Sequence, residues 1–347
     1  MSRCCADRWI GTLVLVLAAL AAGAQGVHFT QFFANPLALN PAHAGFFQGD
    51  CRLAANHKSQ WPWASDQRIV NFNTSAVSAD VSIQGRNARS RNRLGVGLQF
   101  INDRAGDGDL RVNHIALSVA DQLTLGREGD HVIGVGISGG YSLRAVNFDA
   151  FYFNSQWVDR LGFDPSIPTG EPLRTEQTGY FDVGLGLLSR HALGDHVMLQ
   201  TGYALLHLNR PRETFYDQAN RIGLRHTADL RLTHTVNERW AWTLAGYITT
   251  QKRALEGLIG GWASISTHDR PGRKTSRVHL GAAWRVGDAV AGLVGYQYHR
   301  TRIVFNYDVN ISGLTPFSRG NGGFEISLVQ TGNWRTGRSG RSFCPEF

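Results

Sequence analysis

Most of the chain after residue 50 alternates between apolar and polar positions, and turn residues separate the alternating stretches. In the stretch 110–125, Ile115 and Leu117 lie on one face, whereas Ala116 and Ser118 lie on the other. The same two-residue period returns in 131–146 and 221–236. Because successive side chains of an extended strand point to opposite sides, this period predicts β-strands.

About fourteen such stretches follow one another along the chain, and no block with a helical period or internal repeat interrupts them. They lie near residues 50–59, 69–84, 93–102, 110–125, 131–146, 178–190, 196–207, 221–236, 239–251, 255–267, 276–286, 289–299, 301–311 and 322–332.

The length of these strands favours a membrane barrel over a soluble sandwich. Strands of soluble proteins average about 5–6 residues, whereas a tilted strand of about 10 residues crosses an outer membrane. Aromatic residues near the strand ends fit the girdles of such a barrel: Tyr141, Phe148, Tyr180, Phe181, Tyr203, Trp240, Trp242, Tyr247, Trp262, Trp284, Tyr296 and Tyr298. We therefore predict an all-β fold, a closed antiparallel transmembrane β-barrel of about 14 strands over residues 50–332.

The connections of this barrel are expected to differ in length at its two mouths. With the N-terminus in the periplasm, those after odd-numbered strands are external and longer. The longest, 147–177, follows the fifth strand, and its aromatic residues form either a partner-binding or gating lid or ordinary loop packing. The residues assigned to external loops are Trp61, Trp63, Phe151, Tyr152, Phe153 and Trp157.

Residues 1–24 have the features of a secretory signal peptide. A basic start precedes the apolar run 10–22, and Ala22-Gly23-Ala24 offers a cleavage site. The sequence thus predicts export, a segment 25–49 ahead of the barrel, and a tail 333–347 behind it. No later apolar run reaches the length of about 18 residues that suggests a transmembrane helix.

The stretch 31–45, QFFANPLALNPAHAG, fits neither a long helix nor a regular strand. Each Asn-Pro step disfavours helix at the asparagine and starts a turn at the proline. We therefore expect a plug or clasp that packs on the barrel and closes its periplasmic side or docks a secretion component. Its candidate residues are Phe32, Phe33, Asn35, Pro36, Leu37, Leu39, Asn40, Pro41 and Gly45.

Charge and local motifs point away from enzymatic chemistry. The net charge of +8 suggests acidic partners, but no basic cluster interleaved with aromatics indicates nucleic acid. Gly134–Gly139 and Gly136–Gly140 match dinucleotide and nucleophile-elbow patterns, yet no helix follows, so these glycines are interpreted as small positions facing the lumen. Scattered histidines suggest no metal site, and no catalytic residue or cofactor is expected. Arg225, Asp229 and Arg231 share one face and are interpreted as lumen filling.

Two cysteines remain outside the predicted signal peptide. Cys51 begins the first strand and Cys344 follows the last, and in a closed barrel those two strands are neighbours. Export permits oxidation, so either a disulfide at the periplasmic rim or two free thiols is expected.

Five blocks in order resemble the PorP/SprF family of type IX secretion system membrane proteins. They are the stretch 31–45, Lys58-Ser-Gln60-Trp61, Arg93-Leu-Gly95-Val-Gly97-Leu98 with Asn102-Asp103, Gly322-Gly-Phe324-Glu325-Ile-Ser327-Leu328, and Cys344-Pro345-Glu-Phe347. His43 stands where an aromatic residue is expected in the first block.

The resemblance implies an outer-membrane barrel of a Bacteroidetes-type bacterium that serves type IX secretion or gliding motility. Its partners would be secretion components, a cognate secreted surface protein and outer-membrane lipid, and no small-molecule substrate is expected. The alternatives are a channel for solutes or hydrophobic substrates, and a secreted β-rich adhesin or hydrolase.

Overall fold

The computed structural model describes residues 28–61, 71–84, 92–106, 108–126, 130–170, 176–215, 220–267, 276–313 and 315–333. The predicted signal peptide and residues 334–347 of the predicted tail lie outside these ranges. The described chain contains fourteen barrel strands and one small hairpin. The strands are β1 Cys51–Gln60, β2 Phe72–Gln84, β3 Arg93–Ala105, β4 Leu110–Leu125, β5 His131–Ala145, β6 Trp157–Val158, β7 Gly162–Phe163, β8 Gln177–Leu193, β9 Val197–Leu206, β10 Arg225–Thr235, β11 Trp240–Gln251, β12 Ala254–Ser266, β13 Ser276–Arg285, β14 Ala289–Tyr298, β15 Thr301–Asn310 and β16 Asn321–Gly332.

The fourteen long strands form one closed antiparallel barrel. Each pairs with its neighbour in the chain, β5 pairs with β8 across the longest connection, and β1 pairs with β16 to close the sheet. Strands β6 and β7 form a separate two-stranded sheet within that connection. The predicted all-β barrel of about 14 strands is therefore confirmed.

The barrel is apolar outside and polar inside. On β4, the outward residues Ile115 and Leu117 are 47% and 50% exposed, whereas the inward Ser118 and Gln122 are 3% and 1% exposed. A soluble protein shows the opposite arrangement, so the outer surface fits the hydrocarbon of a membrane. Among the described residues, no helix has the length and apolar character needed to cross a membrane.

Three of the aromatic residues assigned to the girdles face the lumen instead. Tyr180 and Tyr247 are buried, and Trp262 packs inward, whereas Trp240 and Trp284 lie exposed on the outer surface. On β11, Tyr247 shares the parity of the inward Thr243 and Ala245, so the alternation itself decides its side.

One of the glycines assigned to the lumen faces outward instead. Gly139 has nothing within 4 Å of a β-carbon built on it, because its parity on β5 is that of the outward Ile137.

Chain direction distinguishes the two mouths of the barrel. The connections 106–109, 146–176, 207–224 and 311–320 leave from one mouth, here called the long-loop mouth. At the opposite, short-turn mouth, β1 begins, β16 ends, and the connections 194–196 and 299–300 are tight.

Candidate functional site: the N-terminal segment in the lumen

Residues 28–50, here called the N-terminal segment, lie inside the barrel. They form three short 3-10 helices, Phe32–Ala34, Pro36–Ala38 and Pro41–His43. Proline begins the second and third, where its missing N–H costs nothing. The side-chain oxygen of Asn40 accepts a bond of 2.9 Å from the Ala42 N–H and caps the third helix.

The first anchor of this segment is a buried carboxylate on β16. The Glu325 carboxylate accepts hydrogen bonds from the backbone N–H groups of Thr30, at 2.8 Å, and Gln31, at 2.9 Å. The amide nitrogen of the Gln31 side chain donates to Asn306 at 2.6 Å, and the amide oxygen of Gln31 accepts a hydrogen bond from the Ser327 hydroxyl. Hydrogen bonds to an ionised group are about twice as strong as neutral ones, so these contacts fix the start of the segment.

Four buried charged residues surround that anchor and form the charge cluster, Lys58, Arg285, Asp308 and Glu325. Asp308 lies 3.3 Å from Lys58 and 3.2 Å from Arg285. The Thr30 hydroxyl donates to Asp308 at 2.9 Å and accepts from Arg285 at 2.6 Å. Two basic residues therefore face two acidic ones, and Thr30 and Gln31 of the segment bind both acidic side chains and Arg285.

Aromatic contacts continue along the segment toward the middle of the lumen. The ring of Phe32 packs edge-on against Tyr247 with 5.2 Å between centroids. Phe33 lies 4.7 Å from Trp262. Leu37 is buried against the wall at Gly97, where a β-carbon would lie 2.8 Å from a Leu37 methyl group.

A second polar anchor lies nearer the short-turn mouth. The His43 ring nitrogen is 3.2 Å from Asp229, and the Gly45 N–H donates to Asp80 at 2.8 Å. Arg52 binds both oxygens of Asp80, at 2.8 and 2.7 Å. Asp229 therefore pairs with the segment rather than only filling the lumen.

Glycines in the wall let the segment approach the barrel backbone. A β-carbon on Gly136 would lie 2.5 Å from the Ala42 nitrogen. One on Gly95 would overlap the Ala44 carbonyl, and one on Gly186 would overlap the Asn40 side chain. Gly136, which belongs to both the dinucleotide and the nucleophile-elbow patterns, therefore makes space for the segment.

The segment runs through the lumen instead of covering one mouth. His28 lies 4.0 Å from Glu256, close to the long-loop end of β12, and the Asp50 N–H donates to Gly332 at the short-turn mouth, at 2.8 Å. The segment therefore packs on the wall along most of the barrel, and its closing of the periplasmic side stays a prediction.

The remaining plug residues occupy distinct surroundings. Pro36 is buried and Leu39 is half-buried, and both line a lumen cavity. Asn35 is 2% exposed, and neither its amide oxygen nor its nitrogen has a hydrogen-bond partner among the described residues. Pro41 is buried in the third helix. Gly45 has a φ of +67°, a value that favours glycine.

The aromatic residues assigned to external loops lie at the long-loop mouth, in two places. Trp61 packs on Phe72 with 5.3 Å between centroids. Phe151 contacts Phe153, while Tyr152 and Trp157 both pack on Phe163 of the small hairpin, at 5.1 and 4.9 Å. Trp63 lies outside the described residues.

The long connection also packs on its neighbours. The Asn147 N–H donates to Gly108 at 2.8 Å, Phe148 lies 6.2 Å from Phe215, and Arg144 pairs with Glu213. These contacts place the start of the long connection against the connections after β3 and β9.

The connection between β3 and β4 is a turn, in which the Asp109 N–H donates to the Gly106 carbonyl at 3.1 Å. Asp109 accepts hydrogen bonds from Arg111 and Arg104, which lower the pKa of its carboxyl group below the usual range. Among the described residues, no group of three or more histidine, cysteine or acidic side chains could hold a metal ion.

Cys51 begins β1 at the short-turn mouth and has no disulfide partner among the described residues. Cys344 lies outside those residues, so the disulfide stays a prediction.

Sequence reasoning missed several residues of this site. Asp80, Arg285 and Asp308 were not singled out, nor was Gln122, which donates to the Ala44 carbonyl at 2.7 Å. Each is a charged or amide side chain at an inward position of a strand. That combination of parity and polarity is the signal that could have identified them.

A family model now adds to this geometry. The model of type IX secretion system membrane proteins PorP/SprF matches residues 21–329. The chain belongs to the PorP/SprF family. The family resemblance rested on separate blocks. Three of their members, Gly95, Glu325 and Ser327, contact the N-terminal segment, and Lys58 pairs with Asp308, which binds Thr30.

Solved structures of other barrels are similar to this PorP/SprF protein only at low identity. The Pseudomonas putida toluene transporter TodX is 11% identical with a TM-score of 0.47, over 85% of this chain and 93% of that one. The monoaromatic hydrocarbon channel CymD is 11% identical with a TM-score of 0.47, over 89% and 95%. A Pseudomonas aeruginosa FadL homologue is 11% identical with a TM-score of 0.47, over 84% and 92%. A search of curated proteins found no match.

Proposed function

We propose that this type IX secretion barrel helps to export and anchor a cognate surface protein, and that its N-terminal segment controls the lumen. Family membership makes the chain an outer-membrane barrel of that secretion system. The proposal gives it a binding role without catalysis, in secretion or in gliding motility of a Bacteroidetes-type cell.

The observation that carries the proposal is the way in which Glu325 binds Thr30 and Gln31. The segment is attached to the wall by these hydrogen bonds and by the apolar contacts of Phe32, Phe33, Leu37 and Leu39. Water or a partner's polar groups can take over the hydrogen bonds once the segment leaves. Loss of the apolar contacts should therefore be enough to displace it.

The orientation of the barrel belongs to the proposal. By the usual rule that long connections face outward, the long-loop mouth is external and the short-turn mouth is periplasmic. The predicted signal peptide, cleaved after residue 24, would deliver the chain to the periplasm for insertion.

We assign binding of the surface protein to the hairpin at the long-loop mouth. Tyr152 is 69% exposed, Trp157 55% and Leu161 85%. Exposed apolar side chains grouped on one loop are typical of interaction sites. Their position above the long-loop mouth suits a protein that emerges there or remains attached.

The experiment replaces Phe32, Phe33, Leu37 and Leu39 with serine in the producing cell. Burial of each large apolar side chain contributes about 1.5–3 kcal/mol, so the segment should leave its place. We expect the barrel to assemble, as heat-modifiable migration would show, while surface biotinylation detects less of its secreted surface protein.

The matched control replaces Leu193 and Val286 with serine, because both are exposed apolar residues near strand ends. Normal surface display by the assembled four-serine variant would contradict the proposed function. Loss of the barrel itself would assign the segment a structural role.

A channel for solutes is the second candidate, and one feature favours it: a lumen cavity of about 270 Å³ beside the segment. Liposome swelling separates the two functions. Swelling by the native chain at a rate similar to that of the four-serine variant would favour transport, whereas swelling by the variant alone would favour a closed secretion barrel. The apolar outer surface of the barrel argues against a secreted protein that is soluble, which was the form expected of an adhesin or hydrolase.

A further inference from the structure

The part of the lumen that the N-terminal segment leaves unfilled is strongly basic. Two cavities, of about 270 and 130 Å³, lie toward the short-turn mouth and share Gln200 and Arg231 in their walls. Seven arginines line them, against two carboxylates, Asp229 and Glu238, and one of the seven, Arg52, is already paired with Asp80. The walls of the cavities therefore carry an excess of positive charge.

Arg302 is the clearest sign that these cavities accept an anion. Its side chain is 7% exposed, it lines the larger cavity, and its Nε has no hydrogen-bond partner among the described residues. Its guanidinium lies 5.6 Å from the centre of the Phe33 ring. None of the ion pairs among those residues includes Arg302. A buried cation without a counter-charge is costly unless an anion pairs with it.

Neither neighbouring carboxylate pairs with Arg302. Asp229 lies 3.2 Å from His43 through one oxygen, and Asp80 binds Arg52 through both oxygens. A carboxylate from outside the chain is therefore the natural counter-charge for Arg302, with Arg231 on the wall beside it.

We propose that the two cavities bind an acidic segment of a peptide, which enters at the short-turn mouth. The walls also carry Phe46 and Phe47, with Arg190 and Arg52 stacked on these rings at 5.4 and 4.8 Å. Aromatic faces and amide groups such as Gln200 and Gln297 suit a peptide backbone better than a free inorganic ion. The cavities open inside the barrel rather than on its lipid-facing surface, which favours a peptide over a lipid headgroup.

The origin of the peptide rests on the proposed function, in which the short-turn mouth faces the periplasm. In that orientation the peptide belongs to a periplasmic secretion component. Binding at the short-turn mouth would contact Phe33 and His43 of the N-terminal segment directly, since both line the larger cavity. The site thus gives a partner a route to the segment.

The test uses the purified full-length barrel and a dye-labelled hexapeptide of alternating aspartate and glycine. Fluorescence anisotropy should show binding at least tenfold tighter than for the same peptide with asparagine in place of aspartate, and the affinity should fall as salt rises. Arg302→Gln should weaken binding of the acidic peptide about tenfold. Arg111→Gln, which changes an exposed arginine at the opposite mouth, should leave it unchanged.

Equal affinity for both peptides, or an assembled Arg302→Gln barrel with native affinity, would overturn the proposal. Displacement of the peptide by inorganic phosphate at equal concentration would show a site for free anions only and would also reject it. If Arg302→Gln does not assemble, the same binding measurement on Arg231→Gln and the comparison of the two peptides on the native barrel test the proposal instead. Because the readout is binding by purified protein, its failure is distinct from failure of surface display in cells.

Discussion

Gly136 on β5 lies so close to Ala42 of the N-terminal segment that a β-carbon on the glycine would be 2.5 Å from the Ala42 nitrogen. The neighbouring atoms are backbone, so they cannot rotate away. This contact, with those at Gly95 and Gly186, shows that the segment and the wall fit at backbone level. The segment is therefore a specific part of the lumen rather than a loose filling.

Gly136→Ala tests this fit. We expect the added methyl group to push residues 41–43 off the wall and to destabilise the bound segment by about 1–3 kcal/mol, as overpacking does. Limited proteolysis or hydrogen exchange of the segment measures the change. Gly139→Ala on the same strand is the control, because nothing lies within 4 Å of its β-carbon. Equal protection of the segment in both variants would show that the close contact between Gly136 and Ala42 does not require glycine.

Glu325→Gln tests the first anchor. Glutamine keeps the size of the side chain but removes the charge that attracts the N–H groups of Thr30 and Gln31, and it leaves Lys58 with one carboxylate fewer. Hydrogen bonds to charged groups contribute about 1.5–3 kcal/mol each. We expect faster exchange of the Thr30 and Gln31 amides with the barrel intact. Asp109→Asn, in an exposed turn, should leave those amides protected, and unchanged exchange in Glu325→Gln would show the anchor to be unimportant.

Val135→Arg tests the side of the barrel that faces lipid. Val135 is 53% exposed on the outer face of β5, where a central arginine costs about 2–4 kcal/mol. The assembled fraction, measured by heat-modifiable migration, should fall. Ser138→Arg points into the lumen of the same strand and should cost less. Equal losses would contradict the assignment of the two faces, and Leu232→Arg with Thr233→Arg repeats the comparison on β10.

The predicted disulfide between Cys51 and Cys344 has its own test. Closing so long a loop would stabilise the barrel by about 5 kcal/mol in the chain-entropy model. Non-reducing electrophoresis should then show a mobility change that Cys51→Ser and Cys344→Ser each abolish. Full thiol labelling of the native protein before reduction would instead identify two free cysteines.

The fold could be predicted because the pattern on which it depends is local. Successive side chains of a strand point to opposite faces, so the sides of Ile115 and Ser118 follow from the local pattern without knowledge of any distant residue. The three misplaced aromatics obey the same rule. Tyr247 follows the parity of Ala245, and its position near a strand end does not determine which face it occupies.

The unusual character of the N-terminal segment was also visible in the sequence. Two Asn-Pro steps exclude both a long helix and a paired strand, and the structure has three short 3-10 helices there. The sequence did not place its partners, because those are far away in the chain. Thr30 binds a carboxylate 295 residues later.

The sequence by itself determined the strands, their two faces and the family, since each depends on patterns within short stretches. Only the tertiary structure decided that Gly95 and Glu325 contact one segment, and that Arg302 lines a cavity without a described counter-charge. The physical reason is closure of the sheet. Pairing β1 with β16 brings the first and last strands of the barrel to one wall, and the course of the segment through the lumen then determines which charged side chains it contacts.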